Sequence, residues 1–107
     1  MANIKLFGAL SDPTRQSLFE RLRQGPASVS ELTASVHVSQ SAVSQHLRVL
    51  READLVKVQK LGNRRLYSLN PQGLFTLRQY ADGLWDDVLS AFQQAAIAQT
   101  NSKEEIA

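Results

Sequence analysis

Between Ser39 and Leu69 the spacing of apolar residues changes from a period near 3.6 to a period of two. A helix followed at once by a hairpin satisfies such a switch, and few other arrangements do. In "SQSAVSQHLRVLREA", Val43, Leu47 and Leu50 recur at four- and three-residue spacing. At about 100° per residue, with Val43 at zero, Leu47 falls near 40° and Leu50 near −20°, which makes one core face. Ala42, His46 and Val49 flank it, and His46 reads as a structural histidine. The segment "LVKVQKLGNRRLYSLN" then alternates, giving two strands about Gly62–Asn63, a pair suited to a two-residue turn. Val56 and Val58 share a face with Tyr67 and Leu69 in that pairing.

The other side of the helix carries Ser41, Ser44, Gln45 and Arg48, with Gln40 and Arg51 at its edges. A helix that needs only solubility is normally rich in Glu and Lys. Ser and Gln both donate and accept hydrogen bonds, as the base edges of a major groove require. Arg48 and Arg51 can add guanine or phosphate contacts. The hairpin tip reads "GNRR": small residues permit close backbone approach, and Arg64 and Arg65 can flank or enter a minor groove. A solvated helix face and an edge strand kept from aggregating by charge are the plainer alternatives for the same residues.

The rest of the chain supplies helices. "ANIKLFGAL" is a short apolar first helix, and "SDPTRQSLFERLRQG" opens a second, with Asp12 as cap, Pro13 at the first helical position and Gly25 as terminator. Leu18, Phe19 and Leu22 form its buried stripe. "SVSELTASV" is a third, capped by Ser28 or Ser30, with Glu31 placed for a capping box with Ser28. Pro71 and Gly73 mark the next boundary. Beyond them Leu74, Leu77, Ala81, Leu84, Val88 and Phe92 keep helical spacing, widened by Phe75, Trp85 and Leu89. Trp85 belongs to the core or to a dimer interface, and Tyr67 to hairpin packing. The order α-α-α-α-β-β-α is that of a winged helix-turn-helix, mainly α with one β-hairpin. Residues 1–96 are read as one DNA-binding and dimerisation domain, and 97–107 as a polar, frayed tail.

Charge is uneven. Residues 1–70 hold ten Lys or Arg against five Asp or Glu, a net +5, and residues 71–107 hold two against five, a net −3. A basic body suits a polyanion partner. The chain has no cysteine, which removes disulfides and thiolate metal ligands. No apolar run approaches the roughly 20 residues that span a bilayer, and "MANIKLFGALSDPTR" is not a signal peptide, so a cytoplasmic protein without membrane association is expected. No catalytic constellation stands out, so the chain is not read as an enzyme.

The segments "ALSDPTRQSLFERL", "SVSELTASVHVSQSAVSQHLRVLREADLV" and "GNRRLYSLNP" together resemble the ArsR family of bacterial winged-helix repressors, over roughly residues 4–92. The resemblance implies a homodimer joined through the first and last helices, binding double-stranded DNA at an inverted-repeat operator. By position, the recognition helix is Ser39–Ala53 and the wing tip Gly62–Arg65. Many members place metal-binding cysteines where this chain has Thr33, Ala34 and Ser35. Others use Asp and His pairs on the last helix, where this chain has Asp82, Asp86 and Asp87 without histidine. Metal sites of this kind need thiolate or imidazole. The chain therefore resembles the branch without a metal site, in which an "LW" pair in the last helix recurs, and no metal or other cofactor is expected. The family usually has glycine at position 54, where this chain has Asp54.

These readings give a sequence-specific repressor of its own or a neighbouring operon. Its expected DNA contacts are Ser39, Gln40, Ser41, Ser44, Gln45, Arg48, Arg51, Lys57, Lys60, Gly62, Asn63, Arg64 and Arg65. Its expected dimer contacts are Ile4, Phe7, Leu77, Leu84, Trp85, Val88 and Phe92. The rival readings are a winged-helix module that binds proteins and a small-molecule-responsive repressor with a pocket near the dimer interface.

Overall fold

The structure, a computed structural model, describes residues 2–106, with side chains described for 5–99. The elements run α1 (Ala2–Leu10), α2 (Pro13–Leu22), α3 (Val29–Ala34), α4 (Gln40–Glu52), β1 (Val56–Leu61), β2 (Arg64–Leu69) and α5 (Pro71–Ile106). They divide into two compact units, Met1–Leu77 and Arg78–Ala107.

Each helix of the first unit starts where its capping residue dictates. Asp12 Oδ2 accepts the Arg15 N–H at 3.0 Å, and Pro13 occupies the first turn of α2. Ser28 Oγ accepts the Glu31 N–H at 3.2 Å while Glu31 Oε1 accepts the Ser28 N–H at 3.4 Å, closing the capping box of α3. Ser39 Oγ accepts the Ala42 N–H at 3.2 Å and starts α4. The core gathers Leu18, Leu22, Leu32, Val43, Leu47, Leu50 and Leu55, with Leu6 and Ala9 of α1 and Val56 and Tyr67 of the hairpin. Phe19, read as part of the buried α2 stripe with Leu18 and Leu22, packs against this core but is only partly buried.

β1 and β2 pair antiparallel, with Val56 opposite Leu69, Val58 opposite Tyr67 and Leu61 opposite Arg64. That register leaves a two-residue turn, and Gly62 takes a φ of +63° that most residues avoid. Residues 25–28, between α2 and α3, are pinned to the hairpin. Ala27 donates its N–H to the Tyr67 carbonyl at 3.0 Å and accepts the Tyr67 N–H at 2.8 Å, which fastens the α2–α3 connection to β2. No periodicity announces a one-residue bridge.

The end of α4 determines how the hairpin leaves it. Asp54 adopts a φ of +59°. Its N–H reaches the Arg51 carbonyl at 3.0 Å and the Leu55 N–H reaches the Leu50 carbonyl at 3.0 Å, the paired bonds of a left-handed helix stop. Leu55 and Leu50 are both fully buried, supplying the apolar contact that accompanies it. Gly73 lies inside the first turn of α5 rather than ahead of the helix, because Asn70 and Pro71 start it. Its backbone passes so close to Asp54 that an added Cβ would run into the Asp54 carbonyl.

In the second unit, α5 continues without a break through Ile106, so no helix end marks the boundary expected at residue 97. The alanines at 95, 96 and 98 favour this continuation. Every described side chain from Arg78 to Gln99 is exposed. Trp85 is therefore no core residue of this chain, because its stretch of α5 has no covering layer within the second unit. Leu77 is half-buried and packs on the core of the first unit, Phe7 is exposed, and the Ile4 side chain lies outside the described residues. Among the described residues no helix is long and apolar enough to cross a membrane.

Two substitutions test this account of the α4 stop. Asp54→Gly relieves a left-handed residue and should stabilise the fold by about 0.5–1 kcal/mol. Gly73→Ala should destabilise it by roughly 1–3 kcal/mol through overpacking against backbone. Thermal melts of both variants measure this, and an Asp54→Gly melt at or below wild type would contradict the first.

Candidate nucleic-acid interface

With Val43, Leu47 and Leu50 turned inward, the six residues Gln40, Ser41, Ser44, Gln45, Arg48 and Arg51 are all exposed on the outward side of α4. The capping Ser39 is exposed as well, its Oγ 3.2 Å from Ser41 Oγ. Arg48 Nε donates to Glu52 Oε1 at 3.2 Å, so part of its charge is answered within the helix. Arg51 has no ion pair among the described residues. The only acid on this helix is Glu52, in its last turn. Beside that turn a cleft of about 490 Å³ is lined by Arg48, Arg51, Lys57 and Asn70, together with Glu52 and Asp54.

His46 looks inward from the flank, as its place on the wheel implies. Arg15 Nη1 lies 3.2 Å from His46 Nδ1. A guanidinium only donates, so this contact uses the tautomer with Nδ1 unprotonated, whereas a protonated ring would face Asp12 Oδ2, 4.0 Å from the same Nδ1. The same Arg15 donates through Nε to the Ala9 carbonyl at 2.7 Å and through Nη2 to the Gly8 carbonyl at 3.2 Å. One side chain thus satisfies the carboxyl end of α1 and braces the recognition helix. The sequence reading did not find Arg15, because its partner on α4 is 31 residues away.

The hairpin carries the other charges. Lys57, Lys60, Gly62, Asn63, Arg64 and Arg65 are all exposed. Lys60 stands directly opposite Arg65 across the ladder, a like-charged pair that is unfavourable in isolation. An anion beside it would relieve that repulsion. Arg64 is differently placed: its Nη2 donates to Glu31 Oε1 at 3.1 Å. Glu31 Oε2 also faces Arg21 Nη2 at 3.6 Å. The capping box drew attention to Glu31 in the sequence, but nothing local signalled that it reaches the wing.

Hydrogen bonds from the Ser28 hydroxyl and N–H, then the Arg64 and Arg21 charges, hold the Glu31 carboxyl below its ordinary value of 4.5. The Arg15 N–H, followed by the charges of His46 and Arg15, holds Asp12 below 3.8. Among the described residues no three His, Asp or Glu side chains are grouped as a metal ion would need.

A helix-turn-helix of α3 and α4 followed by a basic β-hairpin defines a winged helix-turn-helix protein. Residues 12–58 match the model of the bacterial regulatory protein arsR family. The chain is 46% identical over 86 residues to the HTH-type transcriptional regulator Rv2034 of Mycobacterium tuberculosis, covering 80% of each chain. It superposes with a TM-score of 0.69 on the crystal structure of a possible transcriptional regulator for arsenical resistance, at 44% identity over 76% of this chain and 84% of that one. A homodimeric winged helix-turn-helix DNA-binding domain from Mycobacterium bovis, solved in solution and described as a possible ArsR-family regulator, shares the fold at a TM-score of 0.66 and 20% identity, over 82% of each chain. The chain belongs to the ArsR family of DNA-binding transcriptional regulators, and is not an enzyme.

The two lowered carboxyls make a pH prediction. A carboxyl depressed by folding stabilises the fold fully above its ordinary value and ceases to do so as pH falls through its lowered one. Glu31→Gln should therefore lower stability at neutral pH and shrink the loss seen on acidification below pH 4.5. Urea midpoints measured at stepped pH would show this, and parallel curves for variant and wild type would contradict it.

Proposed function

We propose that the chain acts as a homodimer on an inverted-repeat operator in double-stranded DNA and represses transcription of its own or a neighbouring operon. The observation that carries this reading is the outward side of α4, polar and free of acid until its last turn, beside a wing bearing Lys57, Lys60, Arg64 and Arg65. Ser39, Gln40, Ser41, Ser44 and Gln45 would meet base edges and nearby phosphates in the major groove, where the first turns of a recognition helix work. Arg48, Arg51 and the wing, with Gly62 and Asn63 at its tip, would hold the flanking backbone.

The dimer is supported by α5. Leu84, Val88 and Phe92 share one stripe with Trp85 at its edge, and Trp85 and Phe92 are 64% and 72% exposed in the single chain. A stripe of that kind calls for a partner, and an isologous pairing with a second copy is the simplest one. Ile4, Phe7 and Leu77 complete the proposed contact. The dimer would place two recognition helices about 34–36 Å apart, one turn of duplex.

Metal independence follows from side-chain chemistry. Thr33, Ala34 and Ser35 offer no thiolate, and Asp82, Asp86 and Asp87 have no histidine on their helix. In this reading the protein works in the cytoplasm, residues 1–96 form the DNA-binding and dimerising body, and 97–107 are a polar extension of it.

Selection of genomic fragments by the purified protein at near-physiological salt tests the function. Enrichment of one inverted repeat is expected, and only diffuse, salt-sensitive binding would overturn sequence-specific repression. Two variants divide the roles. Gln45→Ala should erode the preference for operator over random duplex by about 1–3 kcal/mol, whereas Arg65→Ala should weaken both evenly. Equal losses on both duplexes for Gln45→Ala would refute its base-reading role. Phe92→Glu should shift sedimentation to the monomer and weaken operator binding with it; a dimer that persists would place the interface elsewhere.

A further inference from the structure

We propose that Glu31 acts as an internal competitor for the wing, holding Arg64 in the free protein and releasing it to a DNA phosphate on binding. The inference rests on the DNA-binding reading above and assigns the electrostatic control of that same surface.

The geometry that carries it is a cleft of about 570 Å³ between the start of α3 and the wing tip, lined by Ser28, Val29, Ser30, Glu31, Asn63, Arg64 and Arg65. Glu31 is the acid among these residues. Within the cleft one wing arginine is engaged and the other is not: Arg64 Nη2 lies 3.1 Å from Glu31 Oε1, while the Arg65 side chain has no ion pair or hydrogen bond among the described residues. A backbone phosphate approaching the wing therefore meets an available cation at Arg65 and a neutralised one at Arg64.

The Arg64–Glu31 pair is made to be exchangeable. Its side chains are 68% and 45% exposed, and ion pairs so exposed hold weakly. Glu31 would not be stranded by losing Arg64, because Ser28 donates to it from its hydroxyl at 3.1 Å and Arg21 remains at 3.6 Å. Arg64 in turn has four further N–H groups in its planar fork and can reach a phosphate in the bidentate manner that guanidinium favours. The carboxylate left behind faces the same cleft and repels the phosphate that displaced it. Both effects weaken DNA binding, and both act through a residue the capping box keeps in place.

The test is a double-mutant cycle on duplex affinity across a salt series, with wild type, Glu31→Gln, Arg64→Ala and the double variant. Gln at this helix position keeps the capping hydrogen bonds available, and thermal melts confirm that each variant folds. Glu31→Gln should tighten binding to operator and random duplex alike by about twofold to fivefold. The slope of log K against log salt should stay close to that of the wild type, because Arg64 meets a phosphate in either complex. Arg64→Ala should lose little affinity in the wild-type background and considerably more in the Glu31→Gln background. A helix cap that mattered only for folding would move the melts and leave duplex affinity alone. Unchanged or weakened binding by Glu31→Gln overturns the inference, as does a gain of the same size when Arg64 is absent. A wild-type chain that binds no duplex at low salt overturns the DNA reading and this inference with it, whereas duplex binding without the Arg64-dependent gain overturns this inference alone.

Discussion

Burial of Val43, Leu47 and Leu50 commits helix α4 to one orientation. All three are at 0% exposure, and each contributes roughly 1.5–3 kcal/mol when fully buried. Rotating the helix by one residue toward its polar side would bring Ser44, Arg48 and Arg51 into a core that has no polar partner to give them, at a further cost of about 1–3 kcal/mol for each unsatisfied group and more for the charges. The polar side of α4 is outward because the apolar side leaves no alternative. Everything that the surface can do in recognition descends from that packing. The neighbouring supports act on the same helix: Ser39 sets where it begins, the left-handed stop at Asp54 sets where it ends, and Arg15 braces its flank through His46.

The two ends of the chain face opposite demands. The first unit buries its apolar residues within itself, and its basic surplus is displayed on α4 and the hairpin. The second unit displays its apolar residues, and its acids lie among them on the same helix, with Arg78 Nε 3.7 Å from Asp82. A lone helix with that composition gains little from burial in the monomer, since it covers nothing of its own. Supplying the missing layer from a second copy would turn an unfavourable exposure into the link between two recognition surfaces. Assembly and DNA reading are then parts of one physical arrangement.

Local physics was legible in the sequence and long-range electrostatics was not. The caps at Asp12 and Ser28, the core face of α4 and the hairpin register each depend on residues within a few positions of one another, so pattern alone carries them. The left-handed stop at Asp54 was signalled only indirectly, by the glycine that the ArsR family usually has at that position. By contrast, Glu31 meets Arg64 across 33 residues and Arg15 meets His46 across 31. Such pairs exist only once the core has fixed where each helix points, and no spacing rule encodes them. The wing shows the consequence. Arg64 and Arg65 are equivalent as letters, yet among the described residues one is partnered and the other is not. The continuation of α5 to Ile106 was missed for a different reason: polar residues suggested a tail, while the alanines at 95, 96 and 98 just before them favour helix into that stretch.

The central claim is that the outward side of α4 and the wing tip together form the DNA surface. The most direct measurement is the change in backbone amide resonances when the selected operator is titrated into labelled protein. The account predicts the largest shifts at Gln40, Ser41, Ser44 and Gln45 and from Gly62 to Arg65, with Val43, Leu47 and Leu50 following only through their place in the same helix. Shifts concentrated on α5, with α4 and the wing silent, would contradict it.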